Sequence, residues 1–138
     1  FIGSRNQYRL YTLNDLNKNG INPMIKFDIF GNDVYNSIDQ ARIYLNMNLD
    51  NNSTFNEYRF MSCAQTNTLF AGHSGSLRYH DGAEKLLGLS IFRDDKEMIY
   101  GLKNLISNNE YFLKALTAQY EYADQNRKKF EQFVRHHF

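Results

Sequence analysis

The 138-residue chain contains one cysteine, one proline, no tryptophan and no long apolar run. A single cysteine excludes an internal disulfide framework, and Cys63 is interpreted as a small buried hydrophobe. The longest apolar runs span a few residues, whereas a membrane-spanning helix needs about 20, so the sequence predicts no membrane span. Because the chain begins at Phe1 rather than methionine, we expect a processed chain or a fragment.

An excess of charge is also missing, because 16 lysines and arginines face 15 aspartates and glutamates, for a net charge of +1. So balanced a chain gives no electrostatic reason to expect nucleic acid as a partner. The lack of disulfides favours a reducing compartment, so we expect a cytoplasmic protein, with a secreted or virion-associated protein as alternatives. A Walker loop, a dinucleotide fingerprint and a C-x-x-C pair are absent, and we predict no cofactor and no metal site.

Aromatic residues are abundant at 15%, with 10 tyrosines and 11 phenylalanines. Tyrosine joins an apolar ring to a polar hydroxyl, and exposed tyrosine is enriched where proteins bind partners. The hydrophobic fraction of 42% and the charged fraction of 22% are typical of a globular chain. Together with the length, they predict a single domain over residues 1–138.

The first 92 residues are predicted to be mainly strands with one short helix. Residues 7–13 are rich in strand formers, 24–30 alternate in polarity, and 55–64 and 68–71 are also strand-like. Ser37 and Gln40 resemble a capping box and predict a helix over 38–47. Asp81-Gly82 predicts a hairpin turn, and a helical turn over 83–87 is the alternative.

The last third, residues 93–138, is predicted to be helical. Asp94 and Glu97 form a capping-box pattern for a helix over 95–106, which Ser107-Asn108-Asn109 ends. Residues 110–136 lack glycine and proline and carry an apolar stripe with a helical period, so they predict one long amphipathic helix of about 40 Å. Because strands and helices are segregated along the chain, we predict an α+β fold with an antiparallel sheet followed by two C-terminal helices.

The leading functional hypothesis is a non-catalytic protein-binding domain. The long helix is expected to exceed the dimensions of the domain, and four aromatic side chains lie partly off its main stripe. We expect this surface to bind a protein partner or a second copy of the chain, through Tyr111, Phe112, Tyr122 and Phe133.

The alternative hypothesis places chemistry in the segment 72–82. Its glycines could form an anion-binding nest, Arg78 could bind a phosphate or carboxylate, and His73 or His80 could act as acid or base. This would make the chain a small metal-independent hydrolase or nuclease. The same residue types are also typical of turns, and without a catalytic signature we favour a protein that is not an enzyme. A structural domain of a larger assembly is the third hypothesis.

Overall fold

A computed structural model describes residues 1–3, 6–27, 29–47 and 57–137. Over these ranges the fold is α+β, with five α-helices, a two-stranded sheet and a three-stranded sheet. Both sheets are parallel, so the predicted antiparallel sheet is wrong. Helices and strands alternate through the first two thirds of the chain rather than being segregated.

The secondary-structure elements are numbered in chain order. The strands are β1 (Ile2–Gly3), β2 (Lys26–Phe27), β3 (Ile43–Asn46), β4 (Leu69–His73) and β5 (Ile91–Phe92). The α-helices are α1 (Gln7–Lys18), α2 (Asn32–Asp39), α3 (Glu57–Ala64), α4 (Asp95–Ser107) and α5 (Asn109–His137). Two 3₁₀ helices, Gly75–Tyr79 and Ala83–Lys85, connect β4 to β5.

The parallel arrangement follows from the connections between the strands. Parallel neighbours need a crossover connection, which is usually a helix; α1 joins β1 to β2, and α3 joins β3 to β4. In the three-stranded sheet the order is β3-β4-β5. The central strand β4 is buried along its whole length, as expected for a parallel strand that is covered on both faces.

Two hydrophobic clusters cover the two faces of the three-stranded sheet. Leu69 and Ala71 point into one cluster together with α1 and α4, whereas Phe70 points into the other together with α2 and α3. Helix α5 contributes to both, with Phe112 in the first cluster and Tyr122 in the second. The sheet therefore lies between two layers of helices.

Two predicted strands are helices. Residues 7–13 belong to α1, which Asn6 caps by accepting a hydrogen bond from the Arg9 N–H over 2.8 Å. Thr12, Leu13 and Leu16 are buried on it, a spacing of one, three and four residues that fits a helical face and not a strand. The second segment, 55–64, is α3 over Glu57–Ala64, while 55 and 56 lie outside the described residues.

The predicted helix over 38–47 is also wrong, because α2 ends at Asp39 and β3 occupies Ile43–Asn46. Ser37 lies inside α2 and donates to the Asp33 carbonyl over 2.7 Å, so it does not cap the helix. Asp81-Gly82 lies between the two 3₁₀ helices and does not form a hairpin. Two of the predicted strands coincide in part with observed strands, because 24–30 contains the short β2 and 68–71 overlaps β4.

The C-terminal helices confirm the sequence prediction. Asp94 caps α4 by accepting from the Glu97 N–H over 2.9 Å, and Asn108 accepts from the Tyr111 N–H over 3.1 Å at the start of α5. The 29 residues of α5 correspond to about 44 Å. All of 127–137 is exposed, so the last third of this helix extends past the packed part of the chain.

Candidate functional site

The carboxyl ends of the parallel strands form the candidate site. Strand β4 ends at His73, whose side chain is buried. Its Nε2 lies 2.6 Å from Oδ1 of Asp95, the first residue of α4. The two residues meet because β5 runs parallel to β4 and α4 begins shortly after β5.

Helix α1 covers this edge of the sheet. The Thr12 hydroxyl donates to Asp95 Oδ2 over 3.1 Å, and the ring centroid of Tyr8 lies 6.2 Å from that of His73. Arg9 Nε donates over 3.1 Å to the carbonyl of Met47, directly after β3. Burial lowers the pKa of the Arg9 guanidinium from its ordinary value. The first turns of α1 therefore lie over the ends of both β3 and β4.

Of the three hydrogen-bonded residues His73, Asp95 and Thr12, Asp95 is the one that solvent and a ligand can reach. Its side chain is 31% exposed, against 4% for the His73 side chain. A carboxylate can accept about four hydrogen bonds, and His73 and Thr12 account for two. Asp95 therefore has capacity to accept from hydroxyl or amine groups of a ligand, while the imidazole fixes its orientation.

A close backbone approach holds β3 against β4 at this edge. Gly72 has φ of 138°, and a Cβ there would lie 2.0 Å from the carbonyl oxygen of Asn46. The Asn46 side chain in turn donates to the His73 carbonyl over 3.2 Å. Only glycine fits between these two strands. Because Gly72 directly precedes His73, this close contact positions His73 at the carboxyl end of β4.

The other two residues of the predicted catalytic set have different partners. Arg78 is exposed and lies over the ring of Tyr79, at 4.8 Å from its centroid. His80 Nδ1 lies 4.0 Å from Glu57 Oε1 on α3, which packs on the face of the sheet opposite to α4. The structure therefore does not bring Arg78 and His80 together with His73 in one site.

His80 instead borders a cavity of about 360 Å³ between α3 and α5. Phe60 and Tyr122 line the cavity, and Lys129 pairs with Asp81 over 2.6 Å beside it. The lining of this cavity therefore carries charges of both signs. It favours neither an anionic nor a cationic ligand.

Three of the four predicted interaction residues pack against distant parts of the chain, and the fourth, Phe133, is exposed and stacks on the ring of His137 in its own helix at 4.2 Å between centroids. Tyr111 donates to the Gly88 carbonyl over 2.9 Å. Phe112 is buried under the Arg42 guanidinium, 4.1 Å from the ring centroid, and Tyr122 is buried in the second hydrophobic cluster. Phe133 is 51% exposed. The surplus aromatic face is therefore covered mostly by the chain itself.

An exposed apolar stripe remains on the end of α5. It consists of Phe130, Phe133 and Val134, which are 67%, 51% and 37% exposed. Their spacing of three and four residues places them on one side of the helix. We call this set the α5 stripe.

Cys63 is buried and free, and burial raises its pKa to about 12. The thiol is thus protonated at neutral pH and is unsuited to act as a nucleophile, in agreement with its interpretation as a hydrophobe. Within the described ranges, no group of three or more histidine, cysteine, aspartate or glutamate residues could hold a metal ion. No helix among the same residues is long and apolar enough to cross a membrane.

Sequence reasoning found His73 but missed Asp95, Thr12 and Tyr8 as its neighbours. Asp95 lies at a helix N-terminus, where acids are common for electrostatic reasons, so its sequence position alone does not indicate a site. Thr12 and Tyr8 were placed on a strand and could not be located. A parallel sheet would have supplied the missing signal, because its strand ends and the helices that follow them meet at one edge.

No protein-family model matches the chain, and no curated protein or solved structure is significantly similar to it.

Proposed function

We propose that the chain is a ligand-binding domain whose site is the crevice at the carboxyl ends of β1, β3 and β4. The observation that carries the proposal is the meeting of Asp95, His73 and the first turns of α1 at this edge. Ligands of open parallel sheets bind outside the carboxyl ends of the strands. The polar groups gathered here therefore lie where a ligand is expected.

The chain connections support the same crevice. Helix α1 follows β1 on one face of the strands, whereas α3 links β3 to β4 on the opposite face. The two sheets are separate; because such crossovers are right-handed, helices on opposite faces are what an arrangement with β2 outside β1 and β4 outside β3 requires. Ligands bind where the strand order reverses. The Tyr44 hydroxyl of β3 reaches the Ile2 carbonyl of β1 over 3.4 Å, so the two strands are near each other.

The side chains favour a ligand that carries an anionic group, hydroxyls and a ring. The N-terminus of α1 offers backbone N–H groups and the positive end of the helix dipole, and Arg9 lies in its first turn. Asp95 accepts from hydroxyl groups, and the Tyr8 ring offers a face for stacking. A nucleotide has all three features. Its assignment also rests on the general use of parallel α/β sheets to bind nucleotides, which is an analogy of fold.

The experiment is a calorimetric titration of the chain with ADP and with UDP. We expect one of them to bind, and R9M and D95N to weaken binding at least tenfold, because each removes a charged hydrogen-bonding group. K18M is the matched control, since Lys18 is exposed at the far end of α1. Circular-dichroism melts check that each variant is folded. The proposal is contradicted if neither nucleotide binds, or if both site variants bind with the wild-type affinity.

Protein interaction through the α5 stripe is the second candidate. It is favoured by the exposure of two phenylalanines and a valine on one side of a helix that extends past the packed part of the chain. We propose that the stripe pairs with a second copy. Native mass spectrometry should show a dimer for the wild type and a monomer for F130S/F133S, with Q132A as the control on the same turn. A wild-type monomer would exclude self-association.

A further inference from the structure

A larger cavity, of about 550 Å³, lies between the two sheets. Phe1, Met24 and Arg42 line it, and they precede β1, β2 and β3. The cavity is therefore at the amino ends of the strands, opposite the crevice proposed above. Its volume falls within the range of about 300–1,000 Å³ that is typical of small-molecule sites. We call it the seam cavity.

The wall of the seam cavity is mainly apolar. Ile43 and Leu45 of β3 and Leu102 and Leu105 of α4 line it, and the same residues belong to or pack against the first hydrophobic cluster. At its mouth, Met24 and Ile106 also line the cavity, and they are 76% and 56% exposed. Exposed apolar surface that is contiguous with an apolar cavity is one mark of a ligand-binding groove.

The ammonium of Lys26, which lies in this wall, has N–H donors beyond the one that it uses within the chain. Lys26 Nζ donates to the Ser37 hydroxyl over 2.9 Å, and that hydroxyl donates to a backbone carbonyl of its own helix. Among the residues that the structure describes, no carboxylate lies within ion-pair distance of Lys26. An ammonium has three donors. Two further cations belong to lining residues: Arg42 is engaged with Asn109 and the ring of Phe112, and the Phe1 α-ammonium donates to the Met24 carbonyl over 2.8 Å.

We propose that the seam cavity binds a small apolar carboxylate, with its chain or ring against the apolar wall of the cavity and its carboxylate on Lys26. The apolar wall removes the hydrocarbon from water. The ammonium supplies a charge-assisted hydrogen bond that a neutral apolar molecule cannot form. This inference is independent of the nucleotide proposal, because the two sites use different residues at opposite ends of the strands.

The head group is tested by titrating nonanoate and nonanol into the wild type and K26M. We expect nonanoate to bind with a Kd of about 1 mM or tighter and K26M to weaken it about tenfold, because methionine keeps the side-chain length but lacks the charge. Nonanol, which lacks the charge, should bind both proteins equally. K96M, on an exposed site of α4, should behave as the wild type.

The location is tested by methyl NMR and by filling the cavity. Nonanoate should shift the methyl signals of Met24, Ile43 and Leu105, and A41L should weaken both ligands, because Ala41 lines the cavity. If A41L does not fold, the methyl shifts decide the location alone. Absence of nonanoate binding, equal affinity in the wild type and K26M, or shifts confined to other methyl groups would each overturn the proposal.

Discussion

His73 Nε2 and Asp95 Oδ1 lie 2.6 Å apart and join the end of β4 to the start of α4. The hydroxyl of Thr12, on α1, donates to Oδ2 of the same carboxylate. One side chain therefore links three elements that are distant in sequence. The same contact serves stability and presents the carboxylate at the edge where we propose that a ligand binds.

We expect D95A to lower the free energy of unfolding by about 1–3 kcal/mol, because it leaves two buried donors without an acceptor. Thr12 and His73 are only 1% and 3% exposed, so water cannot readily replace the carboxylate. Urea denaturation measures the change. K96A is the control in the same helical turn, and its effect should stay within about 0.5 kcal/mol. Similar losses in both variants would contradict the structural role of the pair.

Gln119 of α5 takes the place of a neighbouring strand at the start of β4. Its Oε1 accepts from the Phe70 N–H over 2.7 Å, and its Nε2 donates to the Thr68 carbonyl over 2.9 Å. Strand β5 pairs only with Gly72 and His73, so it does not reach these groups. Gln119 is fully buried.

Q119L should therefore cost about 2–5 kcal/mol of stability, because a backbone N–H and a backbone C=O lose their partner in a dry environment. Chemical denaturation provides the measurement. Q125L, which lies on an exposed site of the same helix, should change the stability by less than about 0.5 kcal/mol. A near-neutral Q119L would show that these backbone groups find other partners.

The sequence predicted the elements whose signals are local. Both C-terminal helices were found because Asp94 and Asn108 cap them through their own neighbours, and because the apolar stripe repeats over many turns. Phe133 is exposed, whereas Tyr111, Phe112 and Tyr122 are covered by distant parts of the chain, and a partner-binding role for any of the four stays a prediction.

The strands were harder because they are short, with two residues in β1, β2 and β5. A period of two cannot be recognised over two residues, and the fully buried β4 does not alternate between apolar and polar residues. In 7–13, three tyrosine and threonine residues favoured a strand, but burial of Leu13 and Leu16 on one face decided for a helix. Once the helices were missed, the parallel order and the site at its edge could not be derived.

Alkaline pH should destabilise the fold through Tyr44 and Cys63. Burial is the main cause that raises the pKa of each to about 12, whereas unfolded tyrosine and cysteine ionise near 10 and 8.5. The unfolded state then binds fewer protons than the folded state, so stability is complete below about pH 8 and falls as pH rises toward 12.

Y44F removes the contribution of Tyr44 to this loss of stability. A difference of two pKa units between the folded and unfolded states corresponds to roughly 2–3 kcal/mol in the free energy of unfolding by pH 12. Urea denaturation at several pH values between 8 and 11 should therefore give a shallower decline for Y44F than for the wild type. Y79F changes an exposed tyrosine and should keep the wild-type slope. Parallel declines for all three proteins would show that Tyr44 does not control the alkaline limit.

Removing the end of α5 should separate folding from association. All side chains of 127–137 are exposed, and Lys129 with Asp81 is a surface ion pair between this segment and the rest of the chain. Exposed ion pairs contribute about 0–1 kcal/mol, so a chain ending at Asn126 should keep the wild-type stability within about 1 kcal/mol. Thermal and urea unfolding followed by circular dichroism provide the measurement.

A chain ending at Ala118 is the contrasting variant, because it also loses Gln119 and Tyr122 from the buried part of α5. It should lose cooperative unfolding, since Q119L alone is expected to be strongly destabilising. If the chain ending at Asn126 is folded but monomeric while the wild type is dimeric, the α5 stripe is the interface. If the chain ending at Asn126 already lacks cooperative unfolding, the end of the helix contributes to the fold, and the stripe is not a free surface.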